Sequence, residues 1–292
     1  MAVERYVQVG ELTIRYKMAG DSGSPVVLLH GLGGFAELWD KNIDALATRH
    51  RVFALDLPGF GRSDKPRHLS YSIPYFAEFL REWLGVMGLP KVSLIGNSMG
   101  GGVATMYAYR FPELVDKLVS VAGVGFGTQV SKYLRLASVH WLGELVTRPG
   151  KQVNLNAFKT TVFSLSAIPL QYAELWYEMM ALPGAQQAYL IALRSLANWQ
   201  GLNPQMIAAM TSGATKITAP TLVIWGDHDQ VLPATQAHTT AATIPHARLE
   251  IFEQCGHLPQ AEHPEKFNAL VLKLLRMTRK PISNSTCFGL SG

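Results

Sequence analysis

Lys91-Val-Ser-Leu-Ile95-Gly96-Asn97-Ser98-Met99-Gly100 is the stretch on which the reading of this chain turns. An apolar run leads into a serine between two glycines, and a helical pattern from Gly101 to Arg110 follows, so the order is strand, sharp turn, helix. A serine hydroxyl is a poor nucleophile at neutral pH. To use it, a chain must expose it, bring a base within reach, and aim hydrogen-bond donors at the oxyanion that forms. The turn serves the first and third needs. Glycines allow close backbone approach, and the Met99 N–H, at the start of a helix, points toward negative charge with the helix dipole behind it.

A base and an acid have to come from elsewhere. Downstream, Thr221-Leu-Val-Ile-Trp225 runs into Gly226-Asp227-His228-Asp229-Gln230-Val-Leu-Pro233, and Arg248-Leu-Glu-Ile-Phe252 runs toward Gln254-Cys255-Gly256-His257-Leu258. Loops that follow the strands of an α/β sheet lie along one edge, where ligands bind. Ser98, an aspartate and His257 are therefore expected to meet there.

Five motifs in order make the chain resemble a serine-dependent member of the α/β-hydrolase superfamily from about Val7 to Leu275. They are His30-Gly31-Leu32-Gly33-Gly34; Asp56-Leu-Pro-Gly59-Phe-Gly61-Arg-Ser63; the turn at Ser98; Gly226 to Pro233; and Gly256-His257 followed by Glu262-His263-Pro264. The resemblance implies Ser98 as nucleophile, His257 as base and Asp229 as the acid. It also implies backbone N–H groups of Met99 and Leu32, or Gly33, as the oxyanion hole, with His30, Gly31, Gly33 and Asn97 in supporting positions. Asp227 is the alternative acid, but in G-x-x-D-x-x-x-P it is Asp229 that stands three after Gly226 and four before Pro233. His263, before Pro264, reads as helix entry; His228 reads as solvated, and Asp56 with Arg62 as a salt bridge or Asx turn.

Short apolar strands alternate with helical patterns through residue 124, the signature of βαβ units and a mostly parallel sheet. The strands expected are Arg5 to Val9, Leu12 to Lys17, Val26 to His30, Arg51 to Asp56, Val92 to Gly96 and Leu118 to Ala122, with helices over Ala36 to Thr48, Ile73 to Met87 and Ser98 to Arg110. The first two strands, split by Gly10-Glu11, read as an antiparallel edge hairpin. With the two downstream strands, the expectation is an eight-stranded α/β-hydrolase sheet flanked by helices, built from residues 1–124 and 211–277. Residues 125–210 show helical patterns and no convincing strand. The resemblance implies that this insertion is a cap, and only 9 of its 86 residues are charged, against 16% of the whole chain. Residues 278–292 read as a loose tail.

At 292 residues, 48% hydrophobic, the chain buries enough surface to fold without disulfides or metal. Its two cysteines, Cys255 and Cys287, form no C-x-x-C motif. A net charge of +5 is spread singly along the chain, which argues for solubility rather than nucleic-acid binding. No apolar signal core or membrane-length run appears, so a cytoplasmic protein without stable membrane insertion is expected. The Gly-rich stretches match neither G-x-G-x-x-G nor a P-loop, and nothing calls for a metal, nucleotide or flavin.

The expected activity is hydrolysis of a small-molecule carboxylic ester with an apolar acyl or aromatic group, through an acyl-enzyme. Carbon–carbon hydrolases of meta-cleavage pathways are the nearest alternative, because Asn97-Ser98-Met99-Gly100-Gly101 resembles their turn. Leu258, where they usually carry Trp, and Arg194 as the sole cap arginine after Arg148 depart from that pattern. A ligand receptor on the same scaffold is the non-enzymatic alternative.

Overall fold

The structure, a computed structural model, describes residues 1–165, 168–169 and 171–277. The expected tail lies outside these residues. One sheet of eight strands is formed by β1 (Val3–Val9), β2 (Leu12–Ala19), β3 (Pro25–Leu29), β4 (Arg51–Leu55), β5 (Val92–Asn97), β6 (Val115–Val121) and two later strands. Between β6 and those two lies a long helical insertion that contains a short antiparallel pair, β7 (Ala197–Asn198) and β8 (Gly201–Leu202). The sheet then resumes with β9 (Thr221–Gly226) and β10 (Arg248–Phe252).

Its order is β1-β2-β4-β3-β5-β6-β9-β10. β1 and β2 form the antiparallel edge hairpin, β2 joins β4 antiparallel, and every later pairing is parallel. Helices α1 (Asp40–Ala47), α2 (Ile73–Val86) and α3 (Met99–Arg110) alternate with the early strands. The insertion supplies α4 (Lys132–Ser138), α5 (Leu142–Val146), α6 (Lys151–Lys159), α7 (Gln171–Ala181), α8 (Ala185–Leu196) and α9 (Pro204–Ala214). Then come α10 (Thr235–Thr243), α11 (Pro259–Glu262) and α12 (Pro264–Leu275).

Parallel strands covered on both faces read as unbroken apolar runs, and β3 shows why. Val27 and Leu29 join the layer that holds Phe76 of α2 and Val103 of α3, whereas Val26 and Leu28 join the layer that holds Ile43 of α1 and Phe267 of α12. β3 has β4 on one side and β5 on the other, so the chain winds away from it in both directions. The crevice beyond the carboxyl ends of β3 and β5 is where such sheets bind ligands. His30 and Ser98 follow those two strands.

Three local features differ from expectation. The helix expected from Ala36 opens as a 3₁₀ turn, Ala36–Trp39, whose Ala36 N–H donates to Asp56 Oδ1 at 2.7 Å. Ser98 precedes α3 rather than starting it, because its backbone is left-handed (φ 56°, ψ −117°). The β7–β8 pair appears where no strand was expected; strands of two residues carry no alternating pattern to detect. Among the described residues no helix is long and apolar enough to cross a membrane.

Candidate active site

The strained turn at Ser98 is over-determined by its surroundings. A left-handed non-glycine backbone of this kind costs on the order of 1–3 kcal/mol. Three backbone bonds hold it: Ser98 N–H to Val121 O at 2.8 Å, and Gly102 N–H and Val124 N–H to Ser98 O at 3.0 and 3.1 Å. The glycines are steric requirements. A Cβ on Gly96 would stand 2.1 Å from Gly100 O, and one on Gly100 would stand 2.4 Å from Leu29 O. The result lifts Ser98 into partial exposure between the buried Asn97 and Met99.

Asp229 follows β9 and His257 follows β10. Asp229 Oδ1 accepts the N–H groups of Val231 and Leu232 at 2.8 and 2.9 Å, which turns Oδ2 to His257 Nδ1 at 2.7 Å. That contact fixes the tautomer of a neutral ring: Nδ1 carries the proton and Nε2 is the basic nitrogen. Asp227 is engaged elsewhere, accepting Cys255 N–H at 3.1 Å and meeting His228 Nδ1 at 2.7 Å. Asn97 Nδ2 donates to Val121 O at 3.2 Å and to His257 O at 3.0 Å, so one amide ties the serine turn to the histidine loop.

The loop after β3 lies directly against this turn; a Cβ on Gly31 would come within 2.9 Å of Ser98 Cβ. His30 braces the loop. Its Nδ1 donates to Gly31 O at 2.7 Å, and its Nε2 accepts Leu57 N–H at 3.0 Å. Full burial pushes its pKa down and keeps it neutral. The Asp56 loop below is held differently from the expected Asp56–Arg62 pair. Arg15, 1% exposed, meets Asp56 at 3.2 Å and Glu37 at 2.6 Å, while the Arg62 guanidinium goes to Glu37 and the Arg62 backbone N–H donates to Asp56 Oδ2 at 2.8 Å.

Two apolar chambers meet at Ser98 and Leu32, which line both. The first lies beside His257 under Phe35, Leu38, Phe158, Tyr172, Trp176 and Leu258. A second lies over Met99 between Val124, Leu134, Leu193, Leu196, Leu202 and Val231. Among the described residues no Asp, Glu, Lys or Arg lines either chamber. Arg194 is occupied at the outer side of the insertion, bonded to Ser138 O at 3.1 Å and Glu144 at 2.9 Å. No group of three or more His, Cys, Asp or Glu among the described residues could hold a metal ion.

Comparison with known proteins places the chain. The family model for the alpha/beta hydrolase fold matches residues 24–264. This chain belongs to the α/β hydrolase family. It is 31% identical over 283 residues to the 2-hydroxy-6-oxononadienedioate/2-hydroxy-6-oxononatrienedioate hydrolase of Burkholderia vietnamiensis, covering 94% of this chain and 96% of that one. Among solved structures, this α/β hydrolase is similar to a serine hydrolase involved in carbazole degradation, with TM-score 0.79, 28% identity and coverage of 94% and 99%. It is also similar to a membrane phospholipase A that is a bacterial virulence factor, with TM-score 0.76, 26% identity and coverage of 94% and 86%.

Two contributors to the α/β hydrolase site were not anticipated from sequence. His257 N–H donates to Thr161 O of the insertion at 2.7 Å. Glu262, 7% exposed, accepts Gly256 N–H (2.9 Å) and Leu258 N–H (3.3 Å) on Oε1 and Phe163 N–H (2.7 Å) on Oε2. Burial raises its pKa, and the three N–H groups oppose that rise. A backbone carbonyl has no sequence signature. Glu262 had one, an acid ahead of His263-Pro264, but nothing local points to amides on both sides of it.

Proposed function

We propose that this α/β hydrolase is a serine hydrolase that cleaves carboxylic esters with apolar acyl and alcohol groups through an acyl-enzyme. The observation that carries this reading is the pair of uncharged apolar chambers meeting at Ser98. A substrate with a carboxylate would have to leave water for a cavity with no Lys or Arg among its described lining residues, which costs several kcal/mol on the order of a buried unpaired ion.

In this scheme His257 Nε2 takes the Ser98 proton as Oγ attacks the ester carbonyl. The oxyanion sits against the Met99 and Leu32 N–H groups. Collapse expels the alcohol, which takes the proton from His257, and a water then repeats the sequence on the acyl-enzyme. Asp229 holds the ring and stabilises the imidazolium. Because the proton donor lines the first chamber and not the second, the alcohol belongs in the first and the acyl chain in the second.

Carbon–carbon bond hydrolysis is the second reading, supported by full-length similarity to a relative that acts on a nonadienedioate and by Asn97 beside Ser98. A panel of p-nitrophenyl esters of increasing acyl length, with one meta-cleavage dienoate included, separates the two. The ester reading expects turnover that rises with acyl length and vanishes in Ser98→Ala. Fast dienoate loss with feeble ester cleavage would reverse the order. Failure of a fluorophosphonate to label Ser98 would instead favour a receptor.

A further inference from the structure

The outer side of the insertion carries an apolar surface that neither the site nor the core uses. Trp141 is 89% exposed, Leu145 69%, Trp199 64% and Leu136 45%. Isolated exposed apolar residues are ordinary, but these belong to one unit. α4 packs on α5 and on β7, and Arg135 Nε donates to Trp199 O at 2.7 Å, which fastens the β7–β8 turn to α4. Trp141 is also held in the left-handed backbone region, φ 71°, where a bulky side chain is disfavoured. Stability does not explain an indole kept in water at a strained position.

Charge around these residues is one-sided. The segment 132–148 carries Lys132, Arg135 and Arg148 against a single carboxylate, Glu144, which Arg194 of α8 already pairs at 2.9 Å. We propose that this face docks on an anionic lipid surface, with Trp141, Trp199, Leu136 and Leu145 entering the headgroup layer and Lys132, Arg135 and Arg148 meeting lipid phosphates. Aromatic residues with flanking cations favour that interface, and each cation near it adds attraction. A second copy of the chain is the poorer occupant, because a two-fold contact would set these cations against their own images. The opposite side of α4 contributes Leu134 to the second chamber, so the docked face lies one helix away from the space that takes the acyl chain. The inference concerns binding and does not depend on which bond the site cleaves.

Vesicle co-sedimentation tests it with the whole chain. Wild type is expected to pellet with phosphatidylcholine/phosphatidylglycerol vesicles, weakly with phosphatidylcholine alone, and less as NaCl is raised to about 0.5 M. Trp141→Asn with Leu145→Gln keeps a residue that tolerates the left-handed backbone and should weaken partition about tenfold or more. Lys132→Glu with Arg148→Glu should weaken it by at least about tenfold and remove the salt dependence. Circular dichroism melts identify any variant that misfolds, and the second pair then stands as the test. Wild type that stays in the supernatant with both vesicles overturns the proposal. So do folded variants that pellet like wild type, or a lipid-free dimer that dissociates in Trp141→Asn, which would make the occupant a second copy.

Discussion

On the sheet side of the cavity, Asn97, Asp229 and His257 are 1%, 7% and 5% exposed, and each is fixed by polar bonds to backbone or to one another. On the insertion side the lining is Phe158, Tyr172 and Trp176, packed by shape, with polar ties to the histidine loop at Thr161 O and Phe163 N–H. Buried polar networks are costly when one member is changed, whereas apolar walls tolerate changes of similar volume. The two sides therefore divide the work. Under the proposed mechanism the sheet side sets proton positions and the insertion side sets which groups fit.

The largest break in that contrast should come from the sheet side. In Asp229→Asn, the amide oxygen keeps the Val231 and Leu232 N–H bonds, so its NH₂ faces His257 Nδ1. The ring must then accept there and carry its proton on Nε2, the wrong tautomer for a base. By analogy with the serine-protease triad, kcat should fall on the order of 10⁴-fold. The melting temperature should stay close to wild type. Activity within tenfold of wild type would remove Asp229 from the proposed triad.

The insertion side should give a smaller and more selective effect. Leu134→Trp, on the half-buried α4 wall, fills part of the second chamber. Steady-state kinetics on the p-nitrophenyl series should show kcat/KM for long acyl chains falling about 10- to 100-fold while the acetate is nearly unchanged, as pocket-volume discrimination allows. An equal loss across the series would mean that the acyl group lies elsewhere, and the assignment of the two chambers would have to be exchanged.

What was legible in the sequence follows the same division. The sheet, its edge hairpin and the strand-turn-helix at Ser98 were readable because parallel strands buried on both faces leave unbroken apolar runs. Gly96 and Gly100 occupy positions where a side chain would collide with backbone. The preference for Asp229 over Asp227 rested on spacing, and the structure turns Asp229 to His257 and Asp227 to Cys255. Less was readable where long-range partners decide the matter. Arg15 is an ordinary strand residue in sequence, yet it takes the place beside Asp56 that Arg62 was expected to fill. The two-chamber shape arises where side chains of α4, α6, α7 and α8 meet the loops after β3 and β5, and no local pattern records that packing.

Glu262 joins the two sides, and its isostere separates their contributions. In Glu262→Gln the retained oxygen can keep Gly256 and Leu258, but the new NH₂ meets the Phe163 N–H, donor against donor. Gly256 and its neighbour His257 stay held from the core while the insertion loses one tie. The cost of the unpaired amide is about 1–3 kcal/mol, a few degrees of melting temperature for a chain of this size. Glu262→Ala frees both loops and should cost more in stability and in kcat. If the two variants melt together and lose the same activity, the Gly256 and Leu258 bonds add nothing beyond the Phe163 bond. If Glu262→Gln keeps kcat and raises KM, the bond positions the insertion over the substrate and leaves the proton chemistry to the sheet side.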